Sequence, residues 1–209
     1  MIQNTVFTQR KQSVLSKLDK SIKQSIDKHL RGICDLINAN RNYFTTSCCS
    51  GRAVLMTKGD IIENKKLAGR WLLVSHDPFE FDEYLNHTIE FESNEAYVHP
   101  EKIVLKYEPI VMHIACLSMD DAVALHNTVF NIGFRNSGIS SDLSQTKFIV
   151  AVRCTIAFEV EIGSYAMDAV HLAISRTQME YFHSQLLMKF ELNFKLIYKL
   201  EKCLKDFFK

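Results

Sequence analysis

"KIVLKYEPIVMHIAC", residues 102–116, is dominated by β-branched, aliphatic and aromatic side chains. It reads as two extended segments, 102–108 and 110–116, on either side of Pro109. Proline has no N–H to give a ladder, so Pro109 marks an edge, a bulge or a bend. The stretch that follows, "SMDDAVALHNTVFNIG" (118–133), changes to a helical period. Ser118 suits its N-cap, Asp120 and Asp121 favour the positive end of its dipole, and Gly133 suits the left-handed residue after it. Extended segments feeding a capped helix, without strict βαβ alternation, predict an α+β fold rather than a parallel sheet.

Upstream, "RAVLM" (52–56) and "RWLLVSH" (70–76) read as a hairpin whose long loop holds Gly59 and Gly69. "DPFEFDEYLNH" (77–87) opens on a helix-entry signal, with Asp77 as cap and Pro78 at the first helical position. Residues 8–39 carry Val14, Leu18, Ile22, Ile26, Leu30, Ile33 and Ile37 at helical spacing, with a break expected near residues 19–25. Downstream, "KFIVAVRC" (147–154) and "AFEVEI" (157–162) read as another strand pair with a tight connection. From about residue 164 to 208 the chain reads as a long helix, with an apolar stripe through Met179, Phe182, Leu186, Phe190, Ile197, Leu200, Leu204 and Phe207. Each half thus runs helix, small-residue turn, two strands. The turns are "TTSCCSGR" (45–52) and "FRNSGIS" (134–140), an echo that predicts one domain over 1–209 with internally duplicated halves.

The 209 residues hold 25 Lys+Arg against 24 Asp+Glu, a formal charge of +1, so no global basic field advertises nucleic acid. An RNA site must then be a local patch. No run of 18 apolar residues occurs, and the chain reads as soluble and cytoplasmic, without a membrane. Its six cysteines fit a reducing compartment. Metal is not expected: no CxxC spacing is present, and the neighbours Cys48 and Cys49 on an extended strand point to opposite faces.

Turns built from Ser, Thr, Gly and Asn expose N–H groups and hydroxyls that suit carboxylate or phosphate oxygens. Arg52 and Arg135 add planar, permanently charged forks. His76, between Ser75 and Asp77, is either a general base or a cap of the next helix. His113 is either a core histidine or faces a pocket beside Glu108. Trp71, the only tryptophan, is read as a core anchor in preference to a base-stacking platform. No GxGxxG or GxxxxGK[ST] fingerprint is present. The residues by themselves define a polar, arginine-bearing cleft and no reaction.

Five blocks in order, "FTTSCCSGR" (44–52), "WLLVSH" (71–76), "KYEPIVMHIAC" (106–116), "GFRNSGI" (133–139) and "VRCT" (152–155), resemble the tRNA wybutosine-synthesizing protein three family. The resemblance implies an S-adenosyl-L-methionine-dependent methyltransferase with a non-Rossmann fold. It would methylate a ring nitrogen of the tricyclic imidazopurine beside the anticodon of phenylalanine tRNA. By matching position it implies His76 and Glu108 as catalytic groups. It implies Ser47, Ser50, Gly51, Arg52 and His113 for the cofactor, and Lys106, Arg135, Asn136, Ser137, Gly138 and Arg153 for the tRNA anticodon arm. Other enzymes of the wybutosine pathway are possible partners. Cys154 stands where the family commonly has serine, and Glu161 where it has proline. Two rival readings are a non-catalytic tRNA-binding scaffold of the same fold and a hydrolase using Ser47 or Cys48 with His76.

Overall fold

A computed structural model describes residues 2–16, 25–58, 61–62, 65–66, 69–80, 89–91, 101–142, 144, 146–166 and 169–209. The helices are α1 (Ile2–Leu15), α2 (Arg31–Ala39), α3 (Met119–Asn131) and α4 (Arg176–Phe207). The strands are β1 (Tyr43–Lys58), β2 (Ile61–Ile62), β3 (Lys65–Lys66), β4 (Trp71–Ser75), β5 (Ile89–Phe91), β6 (Glu101–Cys116), β7 (Gly138–Ser141), β8 (Phe148–Arg153), β9 (Phe158–Ala166) and β10 (Ala169–Leu172). Pairing is antiparallel throughout the described ladders except between β10 and β5, so the fold is a mixed α and β one, as expected. Among the described residues no helix is long and apolar enough to cross a membrane.

The chain forms two compact units: residues 1–50, 109–155 and 193–209 make the first, and residues 51–108 and 156–192 the second. In the first, β8 pairs with the second half of β6 (Val111↔Arg153 to Cys116↔Phe148) and with β7. One apolar core joins α2, α3 and the end of α4 to these strands through fully buried Ile37, Met112, Leu125, Val150 and Leu200. The capping box of α3 is complete: Ser118 Oγ accepts from the Asp121 amide, and the Asp121 carboxylate accepts from the Ser118 amide. Asn193 interrupts the apolar stripe of α4, yet it is fully buried. Its amide donates to the Ser50 carbonyl at 2.6 Å and accepts from the Ile110 N–H at 2.9 Å, which satisfies both backbone groups away from water.

In the second unit, β1 and β4 form the expected hairpin ladder, Ala53↔Ser75 to Met56↔Trp71. The first half of β6 pairs with β9, and β9 with β10. Buried Val54, Leu105, Ile162, Leu172 and Leu186 belong to this unit, and the Tyr107 and Phe190 rings meet edge-on at 4.9 Å. Pro109 lies between the last β6 rung with β9, at Tyr107, and the first with β8, at Val111. Its missing N–H falls between the rungs of the two ladders, at the point where β6 passes from β9 to β8.

Four expectations change. Residues 44–52 are no turn but part of β1, kinked at Gly51, whose φ of 95° favours glycine. Small polar side chains had imitated a loop, although the backbone of the segment is extended. The segments 147–154 and 157–162 do not pair with one another; β8 and β9 each pair with β6. Residues 164–166 and 169–175 are not helical: β9 continues to Ala166 and β10 covers Ala169–Leu172, while 167–168 of the expected helix lie outside the described residues. The apolar pattern of α4 begins only at Met179, and upstream of it Val170, His171 and Leu172 are buried in succession, as in a strand covered on both faces. Of the helix expected over 77–87, residues 77–80 are not helical, and 81–88 lie outside the described residues, as do 17–24 of the expected first helix.

Candidate functional site

Three sequence blocks converge in the first unit. Ser47 is on β1, His113 on β6 and Arg153 at the end of β8. Ser47 Oγ lies 2.8 Å from His113 Nδ1, and Arg153 Nη2 lies 3.1 Å from His113 Nε2. A guanidinium can only donate, so His113 Nε2 must accept, and the ring proton sits on Nδ1 and points at Ser47. Burial and the positive charge of Arg153 lower the His113 pKa from 6.5, in keeping with a neutral ring. The Ser47 hydroxyl accepts from the imidazole and keeps its own proton to donate outward.

The cluster is braced from behind. Thr46 Oγ1 donates to the His113 carbonyl at 3.0 Å. Ser137 Oγ accepts from the Arg153 amide at 3.1 Å, and the Ser137 carbonyl lies 3.2 Å from His126 Nε2. Arg135 and Asn136 are exposed on the turn before β7, and Gly138 pairs with Ala151. Ser50 is fully buried, and its amide and hydroxyl both donate to Asp27 Oδ2.

The second unit holds a separate array. Arg52 Nε donates to Glu108 Oε2 at 2.7 Å, and its guanidinium lies 4.6 Å from the centroid of the Trp71 ring. Trp71 is 51% exposed, so it is not a core anchor: it sits at the open end of the β4 ladder. His76 Nδ1 is 3.0 Å from the Gly51 carbonyl; a carbonyl only accepts, so Nδ1 carries the proton and the basic lone pair is at Nε2. Lys106 pairs with Glu159, which Lys58 also holds, and the Lys58 hydrogen bond leads the causes that lower the Glu159 pKa.

Within the first unit the ring beside Ser47 is His113, which donates to the hydroxyl and so does not activate it as a nucleophile. Cys48 Sγ lies 3.7 Å from Cys34 Sγ in the same unit. Thr46, His126 and Asn193 were not singled out from the sequence. Only Asn193, a polar residue at an apolar helical position, carried a signal there.

A family model described as "Methyltransferase TYW3" matches residues 9–206. A Danio rerio protein named "tRNA wybutosine-synthesizing protein 3 homolog" is 32% identical over 199 residues, 95% of this chain and 74% of that protein. An Arabidopsis thaliana protein named "tRNA wybutosine-synthesizing protein 2/3/4" is 32% identical over 169 residues, which are 75% of this chain and 17% of that much longer protein. A solved structure of a Pyrococcus horikoshii protein superposes with a TM-score of 0.77, covering 98% of both chains at 21% identity, a likeness of fold.

Proposed function

The chain belongs to the methyltransferase family whose model it matches over residues 9–206, and on that premise we propose that it N-methylates a tRNA base. The base is the tricyclic imidazopurine beside the anticodon of phenylalanine tRNA, the methyl donor is S-adenosyl-L-methionine, and the place is the cytoplasm. The observation that carries this reading is the Ser47–His113–Arg153 cluster. Three blocks far apart in sequence, each part of the family resemblance, are joined there by hydrogen bonds.

S-Adenosyl-L-methionine, when bound, supplies an electrophilic methyl group on sulfur. The donor set fits its carboxylate: a hydroxyl aimed by a neutral imidazole, beside an arginine that presents forked N–H groups. Ser47 is the group we assign to that carboxylate, with His113 holding it. Ser50 is withdrawn from contact with the cofactor, since Asp27 holds its hydroxyl. The Gly51 carbonyl holds the His76 ring.

In the reaction the N–CH3 bond forms as the S–CH3 bond breaks, and the base nitrogen loses a proton. We assign His76 to accept it, and Glu108 to positioning Arg52. Most of the rate then comes from alignment. Lys106, Arg135, Asn136, Ser137, Gly138 and Arg153 are assigned to the anticodon arm. We read the chain as one working domain whose helix–strand halves, α2 with β1 and α3 with β7, descend from a duplication. Other enzymes of wybutosine synthesis are the partners this places beside it.

Phenylalanine tRNA from cells blocked at this step, incubated with the protein and S-adenosyl-L-methionine, gains one methyl on the tricyclic base by mass spectrometry. No gain with tRNA binding intact would make the protein a scaffold.

A further inference from the structure

The Trp71 indole is half-exposed and, unlike exposed Tyr181 and Tyr198, lies under an arginine that is itself ion-paired. Leaving Trp71 in water forgoes the burial that large aromatic side chains ordinarily gain. Its surroundings do not let it move aside. Arg52 covers the ring at 4.6 Å and is itself fixed by Glu108 at 2.7 Å. The backbone just before it is clamped: the Thr57 amide donates to the Arg70 carbonyl at 2.9 Å, and the Arg70 amide to Thr57 Oγ1 at 2.8 Å. A Cβ at Gly69 would stand 1.7 Å from the Thr57 carbonyl oxygen, so the strands approach as closely as glycine permits. Arg70 itself lies over the Tyr165 ring at 5.4 Å.

We propose that Trp71 is a stacking platform for an unpaired base of the RNA substrate; this rests on the tRNA reading above and adds to it a substrate-positioning residue. An aromatic face offers a base several apolar contacts without hydrogen-bond readout. The guanidinium stacked on the indole brings a fixed positive charge to the same spot, which suits the phosphate that accompanies any base. Arg52 and Glu108 prepay the ordering of the ring, so the base meets a surface already in place.

Trp71 is the only tryptophan of the chain, so its emission reports on this site alone. The unmodified-at-this-step phenylalanine tRNA and S-adenosylhomocysteine are titrated separately into the wild-type protein, and RNA affinity is measured for Trp71→Ala and Trp71→Phe. The expected result is saturable quenching by the tRNA, none by S-adenosylhomocysteine alone, about tenfold weaker RNA binding for Trp71→Ala, and near wild-type binding for Trp71→Phe. Quenching by S-adenosylhomocysteine alone would give the indole to the cofactor adenine and overturn the proposal. So would unchanged emission in an RNA-bound protein, or a folded Trp71→Ala that binds RNA within twofold of wild type. The methylation assay separates the two claims. Methyl transfer with normal RNA binding by Trp71→Ala sinks the platform alone, whereas quenching without methyl transfer leaves the platform and sinks the enzyme.

Discussion

The tautomer of His113 is set by one neighbour that can only donate. Arg153 takes Nε2, the proton stays on Nδ1, and Ser47 is aimed outward. Arg153→Ala removes both the hydrogen bond and the charge, so the His113 pKa should rise towards its ordinary 6.5, read from the imidazole Cε1–H titration by NMR. An unshifted titration would separate His113 from Arg153. The stability consequence has a definite sign. The folded state holds His113 with a pKa below 6.5, so between the two values the unfolded chain binds more protons. Stability is flat from this source above about pH 6.5 and falls as pH drops below it, levelling once the folded ring is also protonated. His113→Gln should lose that part of the slope in urea melts compared across pH 5 to 7. These residues were legible as polar members of motif blocks. That Ser50 turns inward to Asp27 while Ser47 faces out was not, because both lie in the same small-residue run.

Among the elements, α3 was the easiest to foresee, since its cap, first-turn acids and terminal glycine are all local signals. Ser118→Ala should cost about 1 kcal/mol in denaturant unfolding, because one amide of the first turn loses its acceptor. Asn193 on α4 is the opposite case: its reason lies on β1 and β6, far off in sequence. Asn193→Ala strands the Ser50 carbonyl and the Ile110 amide, at roughly 1–3 kcal/mol each, while Asn193→Asp keeps only the acceptor role. Destabilisation below 1 kcal/mol for the alanine variant would show that water replaces the side chain. In the β9–β10 ladder, a Cβ at Gly163 would meet the His171 carbonyl oxygen at 2.0 Å. Gly163→Ala should therefore break that pairing, seen as faster amide exchange at the β10 amides.

Across the whole molecule, the chain passes between its two compact units at 50/51, 108/109, 155/156 and 192/193, three times within β1, β6 and α4. Neither unit is one continuous piece of sequence, and we propose that they unfold together. Trp71 emission, from the second unit, and far-UV circular dichroism, to which α2 and α3 of the first contribute, should follow one urea transition. Two separated midpoints would make the units independent folding domains. With a formal charge of only +1, binding of tRNA has to come from local arginines and lysines. Its affinity should still fall steeply with salt, and Arg135→Gln should reduce the slope of log affinity against log salt by about one contact. An unchanged slope would take Arg135 out of phosphate contact.

The sequence by itself determined the mixed α and β class, the β1–β4 hairpin, the capped α3, the apolar stripe of α4 and the family. Each of these is written in local periodicity, capping chemistry or contiguous motif blocks. Only the tertiary structure decided that residues 44–52 are strand, that β8 and β9 pair with β6 and not with each other, and that Trp71 stands exposed under Arg52. A backbone edge is indifferent to the side chains it carries, so which strand it pairs with is settled by packing between distant segments. The environment of a side chain is settled in the same way: the same Trp would be core or platform according to what the rest of the chain lays across it.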